Sequence, residues 1–136
     1  MRYLLDSNSA NDYINQKHGV FERARKESLL GQIIGTTVPV LAELAAGIEL
    51  SHSRDRNIKQ LQLAMRQLRL WPFDETSAYR YGKLHAELKL MGTIIGKIDV
   101  MIAAVALSLP PCTVVTTDQD FQAIPGLRVE NWRVQS

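Results

Sequence analysis

Apolar and polar positions along this chain fall into blocks that switch between the period of a strand and the period of a helix. Met1 and the run Tyr3, Leu4, Leu5 have the density of a short buried strand. Residues 8–17 and 20–30 suit two short helices, the second rich in charge (Glu22, Arg23, Arg25, Lys26, Glu27). The stretch IIGTTV (33–38) is β-branched and strand-like, and Pro39 then stands where a helix takes its first proline, with VLAELAAGIEL continuing it. From 54 to 70 the apolar residues Ile58, Leu61, Met65 and Leu68 recur at helical spacing. LWPF then predicts a short edge strand carrying Pro72.

A further amphipathic helix is expected over 75–91, stopped by Gly92. Residues 99–109 are almost wholly apolar, which predicts a buried helix ended by Pro110 and Pro111. TVVTT (113–117) is a second β-branched strand, and LRVENW (127–132) a last one. Strands alternating with helices predict an α/β fold, a mostly parallel sheet covered on both faces. In such sheets ligands bind at the carboxyl ends of the strands.

Composition narrows the class without changing it. At 136 residues the chain is expected to be one domain over 1–136, long enough to bury a core. Its 46% hydrophobic and 22% charged residues are ordinary for a soluble globular protein. No apolar run nears the roughly 18 residues of a membrane span, and Asp6 breaks the run after Arg2 too early for a signal core. Cys112 is alone, so it has no internal disulfide partner, and a reducing cytoplasm is the expected setting.

Four acids stand at element ends. Asp6 and Asp118 follow the first strand and TVVTT, Asp99 opens the apolar helix, and Glu43 lies one turn into the Pro39 helix. Each alone has a plainer role: a strand-end turn for Asp6, an N-cap for Asp99, a turn residue for Asp118 beside Asp120, a surface position for Glu43. Glu43 shares its side with Val40, Gly47 and Leu50, while Leu41, Leu44, Ala45 and Ile48 are the expected core face. As a set they point elsewhere. Carboxylates within about 4 Å of one another repel by a few kcal/mol per pair, so some protonate or a divalent cation neutralises them. An all-oxygen set favours Mg²⁺ or Mn²⁺, and His18, His52 and His85 show no ligand spacing. Metal-assisted phosphoryl chemistry is the reading that follows.

The stretches YLLDSN, VLAELAAG, DVMIAAVAL and TTDQDF resemble the four acidic motifs of the PIN-domain ribonucleases, in order and over a chain of similar length. Their spacing is most similar to the VapC-type toxins of bacterial toxin–antitoxin pairs, and the likeness runs from residue 3 to 132. The resemblance implies a three-layer α/β/α domain with about five strands. It also implies that Asp6, Glu43, Asp99 and Asp118 cut RNA with Mg²⁺ or Mn²⁺, the metal held by Asp6, Asp99 and Asp118. Ser7 and Asn8 would support the pocket from behind, and a homodimer and a VapB-type antitoxin over the active face are implied as well. Ser7 replaces a more frequent threonine, and Gly96, Lys97 and Ile98 stand where some members add an acid. Asp120 is a further acid beside Asp118; a loop-bracing role, capping backbone N–H groups, is expected for it.

With the four acids set aside, 16 lysines and arginines face ten other acids, a modest basic surface suited to a polyanion. Arg54, Arg56 and Lys97 are the candidates for touching RNA, while Trp71 and Phe73 are expected to pack the sheet edge. Two other functions compete with the nuclease: a catalytically silent PIN-like interaction module, and an acidic-pocket phosphotransfer domain. The four intact acids argue against the first. Against the second, Ser7 and Asn8 follow Asp6, and threonines rather than a lysine end the strand before Asp118.

Overall fold

The computed structural model describes residues 1–134; Gln135 and Ser136, the end of the expected 1–136 domain, lie outside the described residues. The chain runs β1 (Arg2–Leu5), α1 (Ser7–Ile14), α2 (Val20–Leu29), β2 (Ile33–Thr37), α3 (Val38–Glu49), α4 (Arg54–Gln67), β3 (Arg69–Trp71) and α5 (Glu75–Leu90). It continues with α6 (Lys97–Leu107), β4 (Cys112–Val115), a 3₁₀ turn (Gln119–Ala123) and β5 (Arg128–Glu130). Among the described residues the five strands form one sheet in the order β3-β2-β1-β4-β5, and every pairing is parallel. The expected α/β sheet is therefore present, and wholly rather than mostly parallel.

β1 is the central strand, with Leu4 opposite Gly35 of β2 on one side and Val114 of β4 on the other. Leu4, Leu5, Val114 and Val115 are fully buried, as both faces of a covered parallel sheet require. The chain builds outward through β2 and β3, then returns to the other side of β1. That reversal opens a crevice at the carboxyl ends of β1 and β4, the place where ligands bind in this class of sheet. β2 and β3 approach closely at Gly35: a Cβ there would meet the Arg69 carbonyl oxygen and stand 2.8 Å from Trp71 Cζ3.

Several boundaries differ from the pattern for local reasons. α6 starts two residues early, at Lys97, with the extended Gly96 as its N-cap, so Asp99 lies inside the first turn and caps nothing. Leu68 turns to an extended backbone (ψ 144°) and ends α4, which frees Arg69–Trp71 to pair with β2. Pro72 falls outside that strand, since it has no N–H to extend the ladder. β4 ends at Val115, although the Thr116 N–H still donates to the Glu130 carbonyl (2.9 Å). On α3 the fully buried side chain is Val40, beside buried Pro39, whereas Leu41, Leu44, Ala45 and Ile48 are only half-buried. Leu44 and Ile48 line a cleft, and Leu44 also packs against the core.

After β5 the chain crosses back to the start. Trp132 is buried against Tyr3 (ring centroids 5.0 Å apart), under the guanidinium of Arg23 at 5.2 Å. Arg133 Nε donates to Asp12 Oδ2 of α1 at 2.7 Å, and the Val134 N–H donates to the His18 carbonyl at 2.8 Å.

Candidate active site

Asp6 belongs to both elements it joins. Its N–H donates to the Val115 carbonyl (3.1 Å), which extends the β1–β4 pairing, and its side chain caps α1. Oδ1 accepts the Ser9 N–H at 2.9 Å, and the hydroxyls of Thr116 and Ser9 also hydrogen-bond this carboxylate. The side chain is 3% exposed. Burial raises its pKa above the usual carboxylate range; the bonds from Thr116 and Ser9 oppose the rise, and the charge of Asp118 adds to it.

Asp99, half-buried in the first turn of α6, has its pKa pushed up to about 6. Burial is the first cause, followed by the charges of Asp118, Asp6, Glu43 and Asp120 in falling order. Acids from β1, α3, α6 and the loop after β4 therefore sense one another at one place. The helix N-terminus beneath Asp99 would favour its anion, and burial together with the surrounding carboxylates outweighs that help. Glu43 is exposed and lines a cleft between α1, α3 and α4.

Asp118 takes the capping role expected for Asp120. Its Oδ1 accepts the Asp120 N–H (2.9 Å) and caps the 3₁₀ turn, while its own N–H donates to Thr116 Oγ1 (2.9 Å). Asp120 is exposed in the first turn and exerts the weakest of the four charges felt by Asp99. The hydrogen bonds that hold Asp6 come from Ser9 and Thr116, where the resemblance puts Ser7 and Asn8. The spacing Asp6-x-x-Ser9 was the available signal, because an N-cap carboxylate bonds the N–H three residues on. Asn8 is exposed, and Ser7 Oγ is buried with no hydrogen-bond partner among the described residues.

The donors suit a hard divalent cation. They are all oxygens, their carboxylates repel one another, and the orphaned Ser7 Oγ is a buried oxygen in need of a partner. Among the described residues no three His, Cys, Asp or Glu side chains are drawn into a closed ligand group. Lys97 is exposed two residues from Asp99. Arg54 is instead engaged by Glu49 (Nε to Oε2 2.9 Å) and Asp55 (3.1 Å), and Arg56 bonds Ser53 Oγ at 3.3 Å. Both arginines line a depression at the start of α4, separate from the cleft that Glu43 lines. Trp71 is buried and Phe73 packs on the core, as expected for edge aromatics.

The PIN domain family model matches residues 3–127 of this chain. The chain is 30% identical over 132 residues to Ribonuclease VapC2 of Rickettsia felis, covering 97% of this chain and 98% of that protein. It is 31% identical over 133 residues to the tRNA(fMet)-specific endonuclease VapC of Salmonella typhimurium, with the same coverage. Among solved structures it matches that of VapBC2 from Rickettsia felis bound to a DNA fragment from their promoter. The TM-score is 0.88, with 31% identity over 97% of this chain and 99% of that one.

Proposed function

Because this chain belongs to the PIN-domain family, we propose that it is a metal-dependent endoribonuclease and the toxic member of a toxin–antitoxin pair. The observation that carries this reading is the gathering of acids about Asp99, whose pKa is raised first by burial and then by the charges of Asp118, Asp6, Glu43 and Asp120. A structural protein has no use for that repulsion; a phosphodiester hydrolase does.

Asp6, Asp99 and Asp118 are the residues that would hold Mg²⁺ or Mn²⁺, with Ser7 Oγ as a neutral oxygen beside them. The bound cation would offset the clustered charge, polarise the phosphodiester and lower the pKa of an attacking water. The chain's own contribution is to fix the oxygens in advance. Ser9 and Thr116 hold Asp6 in one orientation, and the 3₁₀ turn does the same for Asp118. Glu43, exposed at the lip of its cleft, can accept the proton of the attacking water. Lys97 is set to meet the RNA backbone as a point charge.

The partners follow from the same reading: RNA as substrate, a VapB-type antitoxin covering the acids, and a homodimer in the cytoplasm. Buried, unpaired Cys112 agrees with a reducing compartment, and no helix among the described residues is long and apolar enough to cross a membrane. The Salmonella relative is named for tRNA(fMet), so that tRNA is the first substrate to test. Purified protein with Mn²⁺ should cut it, and Asp6→Asn should lower the rate by about 10² or more, since a metal supplies several kcal/mol of charge stabilisation. Wild-type rates from the Asn variant would remove Asp6 from the mechanism. Expression alone should arrest growth, and the antitoxin should restore it.

A further inference from the structure

We infer that the polar pocket between the 3₁₀ turn and the ends of β4 and β5 is a sugar subsite. It takes the ribose of a nucleotide beside the scissile phosphodiester and lets the protein tell RNA from DNA. The inference rests on the endoribonuclease reading above, and a need within that reading motivates it. Water is the nucleophile there, so the 2′-hydroxyl takes no part in the reaction. Carboxylates gathered around a phosphodiester meet nothing that differs between the two polymers. Selection for RNA must come from a group that touches the sugar, because the 2′-hydroxyl is what distinguishes RNA from DNA at a given site.

The pocket has a volume of about 130 Å³, and Asp118, assigned above to the metal, forms one wall. Sites that enclose a whole drug-sized ligand run to roughly 300–1,000 Å³, so this one suits a single ring of a nucleotide. Its chemistry chooses which ring. Asp118 and Glu130 are the charged residues on its walls, with no lysine or arginine among the described residues, so a phosphate is repelled. Val129 is the one apolar side chain among those described, and a base finds no aromatic platform to stack on. What remains is hydroxyl and carboxamide: Thr117, Gln119, Gln122 and Asn131. A ribose is neutral, and each of its hydroxyls both donates and accepts. A carboxamide offers the complementary pair, an N–H beside a carbonyl oxygen.

Local structure fixes these amides. Fully buried Phe121 anchors the 3₁₀ turn, and Asp118 Oδ1 caps it at the Asp120 N–H (2.9 Å). Residues three apart in such a turn eclipse, so Gln119 and Gln122, both exposed, stand side by side at the pocket. On β5's side Asn131 Oδ1 accepts the Arg133 N–H (2.9 Å), which leaves its amide N–H groups to donate. Glu130 Oε1 is held by Arg23 Nη2 (3.4 Å) and Trp132 Nε1 (3.0 Å), tying that wall to α2 and to buried Trp132. Thr116, also on the pocket wall, accepts the Asp118 N–H (2.9 Å) and hydrogen-bonds the Asp6 carboxylate. A sugar seated here is therefore held on the same support as two of the acids.

The experiment uses full-length protein, Mn²⁺ and one short oligoribonucleotide that wild type cuts, found by sequencing the cut ends of a random RNA pool. Copies with a single 2′-deoxynucleotide at each position in turn are compared by kcat and KM. At one position beside the cut, loss of the 2′-hydroxyl should raise the wild-type KM about fivefold to tenfold, the scale of one hydrogen bond, with kcat nearly unchanged. Gln119→Ala and Gln122→Ala should raise KM on the all-ribose oligonucleotide by a similar factor. The deoxy substitution at that position should then change their KM little further. Both variants replace exposed side chains, and circular dichroism melting should match wild type. An active wild type indifferent to every single deoxy substitution overturns the subsite and leaves the nuclease reading standing. Variants with the same deoxy effect as wild type do the same. A deoxy substitution at the cut nucleotide that abolishes kcat makes its 2′-hydroxyl the nucleophile, and overturns the subsite together with the attack by water. A wild type that cuts nothing in the pool or in tRNA overturns the nuclease reading and the subsite with it.

Discussion

Replacing Asp99 with asparagine removes one charge from the acid cluster while keeping the side chain's volume, and its effect on stability can be worked out in advance. In the folded chain the Asp99 carboxyl titrates at about 6, against 3.8 for the free side chain. The folded state therefore binds this proton more tightly than the unfolded state. The stabilisation is present below the unfolded value and is lost as the pH rises through the folded one. Taken at face value the shift is worth about 3 kcal/mol, and because Asp99 is only half-buried, solvent screening reduces this to about 1 kcal/mol. The variant does not titrate here. In EDTA it should match wild type below about pH 3 and exceed it by about 1 kcal/mol near about pH 7. Asp6, shifted in the same direction by burial, remains in both proteins. Urea unfolding followed by tryptophan fluorescence, with Trp71 and Trp132 both buried, measures each curve. Millimolar Mg²⁺ should then stabilise wild type more than the variant, by mass action on the folded state. A difference between the two proteins that does not change with pH would show that Asp99 feels no cluster, and the site as described would fail.

Asp118→Asn keeps an oxygen to accept the Asp120 N–H, so its melting temperature should hold while RNA cleavage falls by about 10². Asp120→Asn should leave both nearly as they are, and the reverse pattern would make Asp120 the fourth acid. Arg133→Met leaves Asp12, 5% exposed, without its partner; denaturant titration should show a loss of about 2 kcal/mol, below the value for a fully buried pair because Arg133 is 39% exposed. Adding Asp12→Asn should recover most of that loss. Gly35→Ala forces a Cβ against β3 and should lower stability by about 1–3 kcal/mol, measured in the same way.

The sheet and the acids were legible because they rest on short-range signals. β-branched runs marked the strands, and Asp6 and Asp118 each lie just beyond one. What escaped was set by contacts between distant residues. Nothing local in the sequence near Asp6 pointed to Thr116, whose hydroxyl reaches it across the β1–β4 pairing. The start of α6 was misplaced because the apolar pattern begins after Asp99, whereas the backbone turns helical at Lys97 behind Gly96. Arg54 looked like an RNA contact on charge alone; Glu49, five residues earlier across a turn, claims it. The half-buried face of α3 carries the same apolar residues as a core face, and only the position of α4 shows that a cleft lies against it.

The order of strands in the sheet also governs how the molecule comes into being during synthesis. β1 is made first yet sits in the middle, and its partner β4 arrives only after residue 111, so the pairing of Leu4 with Val114 closes one of the longest loops in the chain. Such closures are slow and come late in folding. An emerging chain carries Asp6 and Glu43 long before Asp99 and Asp118 exist, and until β4 docks, β1 has a neighbour on one side only. The four acids are thus brought together only once β4 has joined the sheet.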